Sequence, residues 1–108
     1  MLIGLSIIPL RGGEHASDEL VKVLRLVDES GLAYQLTPTA TCIEGTWDEV
    51  MPLVKRCHER VREMSAHVVT TIKIEDEEGA TNKLTSNVRS IEERIGRKLG
   101  RSSRNTKT

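Results

Sequence analysis

Leu32-Ala-Tyr-Gln-Leu-Thr37, then Pro38, then Thr39-Ala-Thr-Cys-Ile-Glu44, then Gly45-Thr46-Trp47-Asp48-Glu49 is the stretch that decides the fold. Two short segments rich in Thr, Tyr and Ile flank a proline, which favours a turn over a strand interior. They read as two strands, Leu32–Thr37 and Thr39–Glu44, and Gly45 breaks the second. Thr46 followed by Glu49 is a capping box, in which hydroxyl and carboxylate satisfy each other's backbone N–H groups. A helix therefore starts where the second strand stops. Val50, Val54, Cys57, Val61 and Met64 share one face of it, and Pro52, past the first turn, predicts a bend or a late start.

Upstream, Leu20, Val23, Leu24 and Val27 recur at helical spacing behind Ser17, a plausible N-cap, with Gly31 placed to end the helix. Before that helix, Leu2–Leu10 is a strand apolar at both parities, with Ile3, Leu5 and Ile7 on one face and Leu2, Ser6, Ile8 and Leu10 on the other. Downstream, His67–Glu75 alternates as a fourth strand, with Val68, Ile72 and Ile74 on one face. An acidic loop leads to a final stripe, Leu84, Val88, Ile91, Ile95 and Leu99, ending near Gly100. The order is β-α-β-β-α-β with an extra C-terminal helix, which predicts an α+β, ferredoxin-like antiparallel sheet with two helices on one face. The other face would be bare in a monomer. Because the first strand is apolar on both sides, sheet-to-sheet oligomerisation is the expected cover.

The chain of 108 residues is one domain in size. We read residues 1–99 as a ligand-binding domain and 100–108 as a disordered basic tail. Aromatic residues make up 2%, with Trp47 and Tyr34 alone, and the formal charge is +0. Nucleic-acid binding is disfavoured on both counts, lacking stacking platforms and a basic excess. The charge is nevertheless uneven: residues 1–54 carry three Lys/Arg against eight Asp/Glu, and residues 55–108 carry thirteen against eight. Cys42 and Cys57 form no C-x-x-C pair, so no zinc or redox motif is supported, and reduced thiols point to the cytoplasm. The apolar start is too short for a membrane span and lacks a signal-peptide layout. His15, His58 and His67 are isolated, and no phosphate loop or paired-acid signature occurs. No catalytic residue, metal ligand or cofactor is assigned.

Certain strings carry more. Ile7-Ile8-Pro9-Leu10, Tyr34, Thr41-Cys42-Ile43-Glu44-Gly45, Asp48-Glu49-Val50-Met51, His58-Glu59 and Val68–Asp76, in this order and spacing, resemble the thiamine-binding protein family over residues 2–97. The resemblance implies a ferredoxin-like tetramer assembled as a dimer of dimers with sheets facing across the interface. It also implies non-catalytic binding of thiamine or its pyrimidine part as a small-molecule ligand, with no metal.

An aminopyrimidine calls for an acceptor and a hydroxyl, and a thiazolium favours an acidic or aromatic neighbour. Glu44 is a candidate acceptor; its ordinary reading is a surface carboxylate near a helix start. Thr39 and Thr41 offer hydroxyls, although β-propensity alone explains a Thr-rich strand. Ser6 is the polar side chain in an apolar strand. Lys73 either reaches solvent along its stem or pairs across an interface with a carboxylate such as Glu44. Trp47 and Tyr34 are candidate ring contacts with packing roles as alternatives, and Leu10 completes the set. The expected function is thiamine or aminopyrimidine binding for storage, delivery or sensing. The rivals are a small monooxygenase- or isomerase-like enzyme with a cavity between paired sheets, and a purely structural or regulatory oligomer.

Overall fold

The computed structural model describes residues 1–11 and 16–98. Four strands, β1 (Leu2–Pro9), β2 (Ala33–Leu36), β3 (Thr41–Glu44) and β4 (Val68–Glu75), form one sheet in the order β2-β3-β1-β4. Every neighbouring pair is antiparallel. The helices are α1 (Ala16–Glu29), α2 (Trp47–Met64) and α3 (Lys83–Ile95). This is the expected ferredoxin-like sheet with one further helix.

The β1 register assigns the faces. Ile3 stands between Ile43 and Ile74, and Leu5 between Thr41 and Ile72. These odd positions meet α1 and α2 in a core of Ile3, Leu5, Val23, Val27, Ile43, Val50, Leu53, Val54, Cys57 and Val61. The periodicity of both helices is thus realised, except that Leu20 stays exposed at the N-terminal end of α1. Burial pushes the Cys57 thiol up from its usual range, with nearby Arg56 pulling weakly the other way.

The helix boundaries depart from expectation at three points. The first helix already includes Ser17, since α1 begins at Ala16. Despite Pro52, α2 starts at Trp47 with no late start. The reason is local: the capping box forms in full, with Thr46 N–H donating to Glu49 Oε1 at 2.9 Å and Glu49 N–H to Thr46 Oγ1 at 3.3 Å. These bonds outweigh the one backbone bond that the proline removes. The backbone bond from Thr46, then its side chain, holds the Glu49 carboxyl below the usual range. Third, α3 stops at Gly96 and not near Gly100, because Gly96 takes φ +82° and its N–H closes on Glu92 O at 2.7 Å. Leu99 and the tail 100–108 lie outside the described residues. β2 and β3 are also shorter than expected, because Thr37–Ala40 forms the turn between them.

On the sheet face away from α1 and α2 lies α3. Asn82 precedes it in the left-handed region (φ 55°) and makes no side-chain cap. Glu44 takes that role from β3: Oε2 accepts from Lys83 N–H at 2.6 Å and Oε1 from Leu84 N–H at 3.1 Å. Lys83 Nζ meets Glu77 at 3.0 Å and Glu75 at 3.5 Å, and Asn87 Nδ2 donates to Glu75 at 3.2 Å. The helix buries none of its residues, and Val88, Ile91 and Ile95 are 46%, 53% and 55% exposed. It is held by polar contacts at its first two turns.

Candidate functional site

On the helix side of the sheet, at the β2–β3 turn, is a pocket of about 200 Å³. Its walls come from four places: Leu5, Ile7 and Pro9 on β1, Leu20 and Val23 on α1, Val61 and Met64 on α2, and the segment from Leu36 to Thr41. The pocket exists because β3 is shorter than its neighbour. β1 pairs with β3 over Leu2–Leu5 only, yet runs on to Pro9 beside β4. The chain turns away over Thr37–Ala40 and leaves a gap next to the second half of β1.

That turn is firmly built. Thr37 N–H donates to Ala40 O at 2.9 Å, and the Thr37 hydroxyl both donates to Ala40 O at 2.7 Å and accepts from Ala40 N–H at 3.1 Å. Pro38 sits at the corner, where its fixed φ suits the turn. The Thr37 hydroxyl is therefore occupied. Thr41 differs: its side chain faces the helices, is 9% exposed, and finds no hydrogen-bond partner among the described residues. A buried hydroxyl left without a partner costs about 1–3 kcal/mol, which makes Thr41 the candidate polar contact of this mostly apolar lining.

The expected site residues fall into three groups. Ser6, Thr39 and Thr41 line this pocket. Glu44 and Lys73 lie on the opposite face of the sheet, since their β1 partners are Leu2 and Gly4. Both Glu44 oxygens are committed to α3. The remaining three are outside the pocket lining: Tyr34 donates its hydroxyl to Asp28 at 2.7 Å, Trp47 is exposed in the first turn of α2, and Leu10 is exposed beyond β1. The Asp28 hydrogen bond raises the Tyr34 phenol above its ordinary range. His58 is engaged with Thr70 on β4, Nδ1 to Oγ1 at 2.6 Å.

Sequence reading missed the apolar pocket walls, Leu20, Val61 and Met64 among them, and the part played by Ile7. The legible signal was Thr37-Pro38-Thr39, which places a turn, and hence an early end of β3, beside a long first strand. Because the Glu44 carboxylate supplies the cap that Asn82 does not, Glu44→Ala should speed amide exchange over Lys83–Asn87. Loss of a cap costs about 0.5–2 kcal/mol, so exchange there should rise several-fold while the β1 amides keep their protection. Unchanged α3 exchange would show that this capping contributes nothing.

Fold and pocket together define a small ferredoxin-like α+β protein with room for a ring-sized ligand. The comparisons with known proteins are more specific: residues 3–92 match the family described as "Thiamine-binding protein", and the chain belongs to that family. The UPF0045 protein of Mycobacterium bovis is 36% identical over 93 residues, covering 85% of this chain and 91% of its own. A hypothetical protein of Methanocaldococcus jannaschii, known as a crystal structure, superposes with a TM-score of 0.77 at 26% identity, over 85% of this chain and 95% of its own. A Thermotoga maritima crystal structure, of a candidate thiamine biosynthesis or salvage protein, superposes at 0.71 over 83% and 96%. At 18% identity this last likeness shows the fold alone. Among the described residues, no helix is long and apolar enough to cross a membrane.

Proposed function

We propose that this protein binds thiamine through its aminopyrimidine ring, without catalysis, in the pocket beneath the β2–β3 turn. The observation that carries the reading is the Thr41 hydroxyl, buried in a mostly apolar lining without a partner among the described residues. Family membership supplies the ligand class. Drug-sized ligands occupy pockets of about 300–1,000 Å³; a cavity of about 200 Å³ suits one ring, with the thiazolium at the mouth. Among the described lining residues there is no Lys, Arg or His to meet a phosphate, which favours the unphosphorylated vitamin. The same lining holds no acid, histidine or cysteine, so its Ser and Thr hydroxyls have no general base beside them among those residues, which favours binding over the enzymatic rival. In this reading the protein stores, delivers or senses the vitamin in the cytoplasm.

The test is calorimetric titration of the dialysed protein with thiamine, and with thiamine diphosphate in parallel. Saturable binding of thiamine, weaker for the diphosphate and unchanged within about two-fold by Glu44→Ala, supports this site. Binding abolished by Glu44→Ala would move the site to the other face of the sheet. No heat from a folded sample would sink the reading.

That other face bears on assembly. Ile8 and Val69 are cross-strand partners there and both are exposed, and the α3 stripe on the same side of the sheet is exposed as well. A second copy of the chain is the reading we favour for its cover, in a tetramer built as a dimer of dimers. Light scattering at micromolar concentration should give four times the 12.0 kDa chain mass. A monomeric mass would remove the oligomer from the proposal.

A further inference from the structure

The same pocket contains a second unsatisfied element, in the main chain of β1. In an antiparallel ladder each residue turns its N–H and C=O to one side, and successive residues alternate sides. Two bonds at the ends of β1 set the phase. Gly45 N–H donates to Met1 O at 3.0 Å on the β3 side, and Leu10 N–H donates to His67 O at 2.7 Å on the β4 side. Odd residues of β1 therefore address β3, and even residues address β4. The continuing register puts Leu5 opposite Thr41, and position 39 would come opposite Ile7. But Thr39 has already left with the turn. The Ile7 N–H and C=O thus point into the gap, and no hydrogen bond reaches them from the described residues. Pro9, the next odd residue, has no N–H to offer.

Backbone polar groups turned away from water are nearly always paired, so an open donor and acceptor side by side at an apolar pocket call for a partner. We infer that Ile7 presents a bare strand edge that recognises an amidine-type heterocycle edge: an exocyclic amine donating to Ile7 C=O, and the adjacent ring nitrogen accepting from Ile7 N–H. This rests on the thiamine reading for its location and deepens it by naming the recognising atoms and the ligand class, 4-aminopyrimidines. The ligand supplies the pairing that β3 would have supplied had it run two residues further. A 4-oxo analogue carries the opposite order, an acceptor where the amine was and a donor at the ring nitrogen. Held in the same orientation by the apolar walls, it sets acceptor against acceptor. A site built for a hydrogen-bonding pattern rejects a ligand that leaves its buried groups unpaired.

The test is residue-resolved amide exchange by NMR on the whole chain, free and saturated with 4-aminopyrimidine, thiamine or the 4-oxo analogue of thiamine. In the free protein, the Ile7 amide should exchange faster than those of Ser6 and Ile8, which face β4. Saturation with 4-aminopyrimidine or thiamine should slow Ile7 about ten-fold or more, and the 4-oxo analogue should bind about ten-fold or more weaker. Protection of Ile7 by 4-aminopyrimidine without binding of thiamine would keep the strand-edge inference and sink the vitamin reading. Calorimetric saturation by thiamine that leaves Ile7 unprotected would overturn the strand-edge inference and keep the vitamin reading. Equal affinity for the amino and oxo forms, or no binding of any of the three, would also overturn it.

Discussion

Thr41→Val should weaken thiamine binding about ten-fold while leaving the ligand-free protein as stable as before or more stable. The two effects have opposite signs because, in the proposed site, the hydroxyl finds its partner only on the ligand. With 9% exposure and no partner among the described residues, it costs the free protein its desolvation. Valine keeps the shape and the strand preference and removes that cost, so an increase of up to about 1 kcal/mol in unfolding free energy is expected. In the complex the same change deletes a hydrogen bond, for which about 1.4 kcal/mol corresponds to ten-fold in affinity. Denaturant unfolding and thiamine calorimetry on one sample check both. A variant that is destabilised and binds unchanged would show that Thr41 is a structural residue and that the ligand lies elsewhere.

The second large effect is on stability. Ile43 is 0% exposed on β3, between β2 and β1, and faces the helix layer beside Ile3. Ile43→Ala opens a cavity at the centre of the core and should cost about 2–5 kcal/mol. Against a total of about 5–15 kcal/mol, that is a large share. At about 4–8 °C per kcal/mol for a domain of this size, the melting temperature should fall by ten degrees or more. A shift under about 2 °C would mean that the layer below β3 is not packed as described. Because Ile43 lies outside the pocket lining, variant protein that remains folded at low temperature should keep its thiamine affinity.

Much of the fold was legible because its signals are local. A capping box needs only Thr46 and Glu49, and it formed in full in spite of Pro52. The faces of β1 followed from parity, and the faces of α2 from helical spacing, since each is set by backbone geometry within a few residues. The end of α3 was placed too late because two glycines, Gly96 and Gly100, both fit a C-terminal stop; the backbone uses the first.

The site was legible only in part, for a physical reason. Thr39, Thr41 and Ser6 were expected and do line the pocket. The acidic candidate, Glu44, sits one residue before a glycine and reads as a ligand acceptor. Its actual engagement is with amides some forty residues away, on a helix that nothing local ties to it. The main-chain edge at Ile7 is invisible to any reading of side chains, because it depends on where a neighbouring strand stops.

By itself, then, the sequence determined the order of elements, the apolar faces, the helix start at Thr46 and membership of a thiamine-binding family. These rest on interactions between residues close in the chain, or on patterns that persist whatever the neighbours do. Only the tertiary structure decided which polar groups are left over. That is a subtraction over the whole fold: Thr41 and Ile7 stand out because the turn beside them satisfies its own Thr37 and Ala40 groups, and matching is settled only once strands, turn and helices are in place.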